Sequence, residues 1–197
     1  MVEAFFAVSQ NNKVADRENS SKIFGMNTTE NLNAFRESKR NCADGILVGA
    51  NTIIINNPTL LNTNRTNIRI IIDKYNNIPF KSKIFQICPE KTYILTLGKD
   101  NDYFNKLLQL GVHIIKVQKD NILQTINSLS INRLLIEGGV KTLEFFTECN
   151  FIDKYTIIKF PFVLSNDSIA FNFDIIKNLK NESYIFDNIY EIYNYER

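Results

Sequence analysis

The chain has 197 residues, 44% of them hydrophobic and 22% charged, with a formal net charge of +2. That length supports one domain with a sizeable core, and the near balance of charge removes any whole-chain electrostatic case for nucleic acid. Cys42, Cys88 and Cys149 are far apart and form no CxxC or Cys/His cluster, which disfavours a structural zinc site and a disulfide framework and leads us to expect reduced thiols in a cytoplasm.

The opening MVEAFFAVSQNN lacks the basic-then-apolar order of a signal peptide, and no apolar run reaches the length of a membrane span. Residues 4–9, AFFAVS, read as a first strand. The polar stretch 10–21 reads as loop. Thr28 or Thr29 can cap a helix reaching to about Asn41, with Thr28-x-x-Asn31 a weak capping box and Leu32 and Phe35 its apolar face. GILVG, Gly45–Gly49, predicts a central strand, and a short helical piece then leads to Asn57-Pro58. Residues 62–67 read as loop, 68–72 and 92–96 as strands, the latter followed by Gly98-Lys99-Asp100.

Phe104, Leu107, Leu108 and Leu110 give helical spacing that Gly111 stops. Val112–Val117 predicts a strand and residues 120–129 a helix. Leu134–Ile136 is a buried strand ending in Glu137-Gly138-Gly139, after which Val140, Leu143, Phe145 and Phe146 resume a helical pattern. Residues 154–160 predict a strand, and 183–188 with 190–195 a closing antiparallel pair turning at Asp187-Asn188. The alternation predicts an α/β fold: a mixed, mostly parallel central sheet with helices on both faces and a C-terminal antiparallel pair, in one domain over 1–197.

Polar clusters interrupt this framework at Ser9–Lys13, at Thr28 with Arg40, at Gly49–Thr52 with Asn56-Asn57-Pro58, and at Glu137-Gly138-Gly139. Three of them follow strands, and in open α/β sheets ligands bind beyond the carboxyl ends of strands. Each also has an ordinary reading. Lys13 suits a solvated loop, Thr28 a helix cap, Arg40 a helix C-terminus, and Asn-Asn-Pro a turn. The glycine pair can cradle a phosphate on free backbone N–H groups or simply connect strand to helix. Glu137, at the end of a buried strand, needs a partner or a task. His113, in a strand among apolar neighbours, suits a structural role better than a catalytic one.

Taken in order, Ala7-Val8-Ser9-Gln10-Asn11-Asn12-Lys13-Val14-Ala15, Thr28, Arg40, Asp44–Thr52, Asn56-Asn57-Pro58-Thr59-Leu60, Glu137-Gly138-Gly139, Phe151-Ile152-Asp153-Lys154 and Lys159–Ser165 resemble the RibD C-terminal family. These are pyrimidine reductases of riboflavin biosynthesis with a dihydrofolate-reductase-like fold. The family's N-terminal deaminase domain has no counterpart in this sequence, so the likeness is to stand-alone reductases.

The resemblance implies NADPH-dependent reduction of the ribosyl group of a ribosylaminopyrimidine 5′-phosphate to ribityl, in a cytoplasmic homodimer that engages neither nucleic acid nor membrane. It places Lys13, Asn56 and Glu137 at the chemistry, Thr28, Arg40 and Arg65 on the substrate, and Ala7, Gly49, Thr52, Gly138, Gly139 and Val140 on NADPH. It also marks departures. Asn11-Asn12 stands for Asp-Gly, Asn56 for an acid, Thr63 for an arginine and Ser165-Asn166 for Gly-Gly. Two other readings stay open: a short reductase with another substrate, and a catalytically weak domain that binds a nucleotide or a partner. Dihydrofolate fits less well, since the chain has no Trp.

Overall fold

The computed structural model describes residues 1–98, 102–118 and 120–196. In chain order the elements are β1 (Val2–Val8), β2 (Lys13–Ala15), α1 (Lys22–Met26), α2 (Glu30–Asn41), β3 (Gly45–Gly49), α3 (Ala50–Asn56), β4 (Ile68–Ile72) and α4 (Lys83–Gln86). Then come β5 (Thr92–Thr96), α5 (Asp102–Gln109), β6 (His113–Lys116), α6 (Ile122–Ser128), β7 (Leu134–Glu137) and α7 (Val140–Glu148). The chain ends with β8 (Lys154–Lys159), β9 (Ile169–Ala170), β10 (Lys180–Phe186) and β11 (Tyr190–Glu196). Among the described residues nine strands form a mixed, mostly parallel sheet, and β2 pairs separately with β9. The chain divides into two compact units, residues 1–39 with 135–197, and residues 40–134.

In the first unit the strand run is β10-β11-β8-β1-β7. β1 and β8 are parallel, while β11 is antiparallel to both β8 and β10. Phe5, Phe6, Ile157 and Ile158 are buried on this sheet, the continuous apolar pattern of strands covered on both faces. In α7, Leu143, Phe146 and Thr147 are buried at helical spacing, and the Tyr155 hydroxyl donates to Thr147 Oγ1 at 3.1 Å. Phe24 of α1 packs on Phe160 and Phe162, with Tyr190 against Phe160. That aromatic cluster sets the path of the chain from α1 into α2. The closing hairpin turns through Asp187 and Asn188, both at positive φ.

In the second unit the order is β3-β4-β5-β6, all parallel. β3 opens on glycine because that end packs tightly: a Cβ at Gly45 would lie 3.1 Å from Ile131 Cδ1. α5 buries Phe104 and Leu107, and Gly111, at φ +89°, ends it. Lys99 and Asp100, read as part of the turn after β5, lie outside the described residues.

Three expectations change. Residues 10–21 are not all loop, since β2 forms there on a partner more than 150 residues away. Of Thr28 and Thr29, the two possible caps of α2, it is Thr29 that caps: its Oγ1 accepts from Leu32 N at 3.2 Å. Asn31 does not reach back to close a capping box but donates to Asp187 Oδ1 at 2.9 Å. His113 lies on β6, at the end of its unit's strand order, and is exposed, with its ring stacked on Tyr93 at 4.4 Å.

Candidate functional site

β1 carries Ala7, half-buried, and delivers the fully buried Ser9 to a tight turn. Ser9 N donates to the Lys13 carbonyl at 2.9 Å, and Lys13 N donates to Ser9 Oγ at 3.0 Å. Asn12 sits at φ +61°, a left-handed position that asparagine tolerates, so it can stand where a glycine is otherwise used. Lys13 begins β2, and its ammonium donates to the carbonyls of Asn166 at 2.9 Å and Ser168 at 3.0 Å. An ammonium has three N–H groups, so one is left for a ligand. Asn11 Nδ2 donates to the Leu164 carbonyl at 2.7 Å, and Leu164 N donates back to Asn11 Oδ1 at 3.1 Å. A strap over residues 161–170 therefore lies along residues 10–13. Its Asp167 carboxyl is held below the usual range, first by the Ser165 side chain and then by its own backbone N–H, with the charges of Arg17 and Lys13 adding to this.

Thr28 is half-buried, just before α2, and its Oγ1 is buried with no hydrogen-bond partner in the protein. Such a hydroxyl costs about 1–3 kcal/mol unless something else bonds it. Farther along, β7 ends at the half-buried Glu137. Gly138 at φ +70° and Gly139 at φ +78° turn the chain directly into α7 at Val140. Both angles favour glycine; Thr142 N donates back to the Gly139 carbonyl at 2.9 Å, and the N–H groups of Val140 and Lys141 are those a helix leaves without intrahelical partners. No side chain caps α7. Backbone donors, a positive helix end and glycines without Cβ suit an anionic group such as a pyrophosphate.

In the second unit Gly49 ends β3 and stands at the N-cap of α3 with extended backbone. Thr52 and Asn56 are half-buried on α3. Asn57 takes the left-handed C-cap, and its Oδ1 accepts from Lys83 N at 2.8 Å. The following segment is fixed from β4. Arg69, fully buried, donates to the carbonyls of Thr59 at 3.1 Å, Ile84 at 2.9 Å and Cys88. Burial pushes the Arg69 guanidinium down to about 10. Asn67 donates to the Leu60 carbonyl at 2.9 Å, and Leu60 is buried at φ +55°. A leucine in the left-handed region is strained and needs such support. Arg65 is exposed in the following loop, at φ +53° with its N donating to the Asn62 carbonyl at 3.0 Å. Arg40 is half-buried in the last turn of α2. Among the described residues, no group of three or more His, Cys, Asp or Glu is placed to hold a metal, and no helix is long and apolar enough to cross a membrane.

The Asn166 and Ser168 carbonyls and the Arg69 clamp escape a reading of side-chain motifs. The carbonyls carry no sequence signal, whereas an arginine inside the apolar run IRIII is itself a signal, because a buried charge must find acceptors.

The sequence model of the RibD C-terminal domain family matches residues 1–182. The chain belongs to the RibD C-terminal domain family. It is 30% identical over 129 residues to the riboflavin biosynthesis protein RibD of Aquifex aeolicus, an alignment covering 62% of this chain and 36% of that protein. It is 24% identical over 135 residues to the 2,5-diamino-6-ribosylamino-4(3H)-pyrimidinone 5′-phosphate reductase of the same organism, covering 64% of this chain and 60% of that one. The chain thus spans little more than a third of the RibD relative. Acinetobacter baumannii RibD shares the fold at TM-score 0.81 with 20% identity, over 100% of this chain and 58% of that one. The Saccharomyces cerevisiae riboflavin biosynthesis reductase Rib7 shares it at TM-score 0.72 with 15% identity, over 100% and 89%.

Proposed function

We propose that the chain is one reductase domain, soluble and cytoplasmic, that uses NADPH to reduce the ribosyl group of an aminopyrimidine 5′-phosphate to ribityl. The observation that carries this reading is the Glu137-Gly138-Gly139 junction, where positive-φ glycines open α7 in a chain of this family. That junction fits the cofactor: Gly138, Gly139 and Val140 would hold its pyrophosphate, with Ala7, Gly49 and Thr52 as further cofactor contacts. When bound, NADPH supplies the hydride that C1′ of the ring-opened imine accepts.

The protein's own residues bind, orient and move protons. Lys13 gives its remaining N–H to the substrate as a charge-assisted donor. Thr28 gives its unpartnered hydroxyl, and Arg40 and Arg65 complete the recognition of the phosphate and sugar. Glu137 orients the ribose chain. Reduction would add that hydride at C1′ and a proton from solvent at the imine nitrogen, giving a secondary amine. Asn56 can hydrogen-bond near the reacting carbon but cannot take up a proton as a carboxylate can.

Asn56 favours a second reading, a nucleotide-binding domain with weak turnover. Purified protein titrated with NADPH, then given the deaminated and the non-deaminated aminopyrimidine phosphate, tests both. Oxidation of NADPH with either substrate supports the reductase. Binding without oxidation that Asn56→Asp converts into turnover supports the weakened domain. Binding without oxidation in either form rejects the substrate.

A further inference from the structure

Asn11 is the residue of the 9–13 turn whose side chain holds a distant backbone segment in both directions. Its Nδ2 donates to the Leu164 carbonyl at 2.7 Å, and its Oδ1 accepts from Leu164 N at 3.1 Å and from Ser9 Oγ at 2.7 Å. Beside it, Gln10 N donates to the Phe162 carbonyl at 2.7 Å. Four residues beyond Phe162 the strap returns to Lys13 through the carbonyls of Asn166 and Ser168. Ser165 and Ser168 brace that stretch, Oγ to Oγ at 2.9 Å and Ser168 N to the Ser165 carbonyl at 3.0 Å. The two carbonyls that aim the Lys13 ammonium thus lie on a segment that Asn11 pins. An ammonium on a four-carbon stem is otherwise free to rotate.

We propose that Asn11 is a positioning residue for Lys13. By clasping Leu164 it fixes the strap, the strap's carbonyls take two of the ammonium's N–H groups, and the third is presented to the substrate's anionic or hydroxyl group. The consequence for substrate rests on the reductase reading; the clasp itself does not. Only an amide serves here. A carboxylate keeps the acceptor for Leu164 N and Ser9 Oγ but loses the donor and sets a negative charge against the Leu164 carbonyl. Asparagine at this turn is therefore matched to the backbone of Leu164, which both accepts from it and donates to it.

The test uses the whole chain with nitrogen-labelled lysine. The Lys13 ammonium signal is assigned by its loss in Lys13→Gln. In Asn11→Asp that signal should shift and its hydrogens should exchange faster with water, before any ligand is added. The substrate KM should rise about tenfold, the loss of roughly one hydrogen bond, while kcat and the NADPH Kd hold. Asn11→Ala, which removes the clasp without adding charge, should do the same and serves if the charged variant does not fold. An unchanged Lys13 signal in the variants overturns the proposal. So does a fall in kcat and NADPH affinity alongside KM, which marks a general loss of structure. If the Lys13 signal responds but the wild-type chain never oxidises NADPH, the clasp stands and the reductase reading fails.

Discussion

Arg69 Nη1 donates to the carbonyl of Thr59 at 3.1 Å from a fully buried position on β4. With Ile84 and Cys88 as its other acceptors, one guanidinium joins the segment after α3 to both ends of the α4 region. Replacing it by methionine keeps much of the volume and takes a donor from three carbonyls, of which that of Ile84 keeps Thr92 Oγ1 and that of Cys88 keeps Lys91 N. We expect Arg69→Met to lower stability by about 2 kcal/mol, read from urea unfolding midpoints. A loss under about 1 kcal/mol would mean the carbonyls find water instead.

Asp73 gives a pH signature. It is buried at the end of β4, with Oδ1 accepting from Tyr75 N at 3.1 Å and Asn76 N at 2.9 Å. Burial raises its carboxyl above the ordinary 3.8 despite those backbone donors. Between the ordinary and the raised value, the folded state keeps a proton that the unfolded state has lost. Stability from this group therefore falls as pH rises through that window and levels off above the folded pKa. Asp73→Asn should flatten that slope in unfolding curves taken from pH about 4 upward. A slope unchanged in the variant would assign it to other carboxylates.

Lys39 Nζ meets Glu3 Oε1 at 2.6 Å with both side chains mostly buried, and Thr156 Oγ1 donates to the same oxygen at 2.7 Å. Lys39→Met leaves that carboxylate without its cation and should cost about 3 kcal/mol. Adding Glu3→Gln should recover most of the loss, because the pair offsets its own desolvation. A double-mutant cycle measures the coupling; additive losses would contradict it.

Thr28→Val separates binding from stability. The hydroxyl has no partner within the protein, so removing it should leave stability unchanged or raise it by up to about 1–3 kcal/mol, the cost of leaving it unbonded. In the same variant the substrate KM should rise about tenfold. A drop in melting temperature with no change in KM would give the hydroxyl a structural role instead.

How much was legible follows from where the signals lie. β3, β4 and β5 are continuous apolar runs bounded by glycines or turn residues, the pattern of central parallel strands, and their limits are readable to the residue. The Glu137-Gly138-Gly139 junction is equally local, and its positive φ angles follow from its glycines. β2 and β9 are three and two residues long and exist through each other, so no window of sequence reveals either. Which of Thr28 and Thr29 caps α2 is a one-residue matter of which hydroxyl faces the third helical N–H. In the family resemblance Asn11 stands for an acid. Its meaning depends on Leu164, distant in sequence, and only the fold brings the two together.

The most direct test of the central claim follows the label from NADPH carrying deuterium on the transferable position of its nicotinamide ring. Incubated with the ribosylaminopyrimidine 5′-phosphate, the chain should yield a ribityl product with one deuterium at C1′, detected by mass spectrometry and located by NMR. NADPH consumed without deuterium at that carbon, or a saturated cofactor site with no ribityl product, would contradict it.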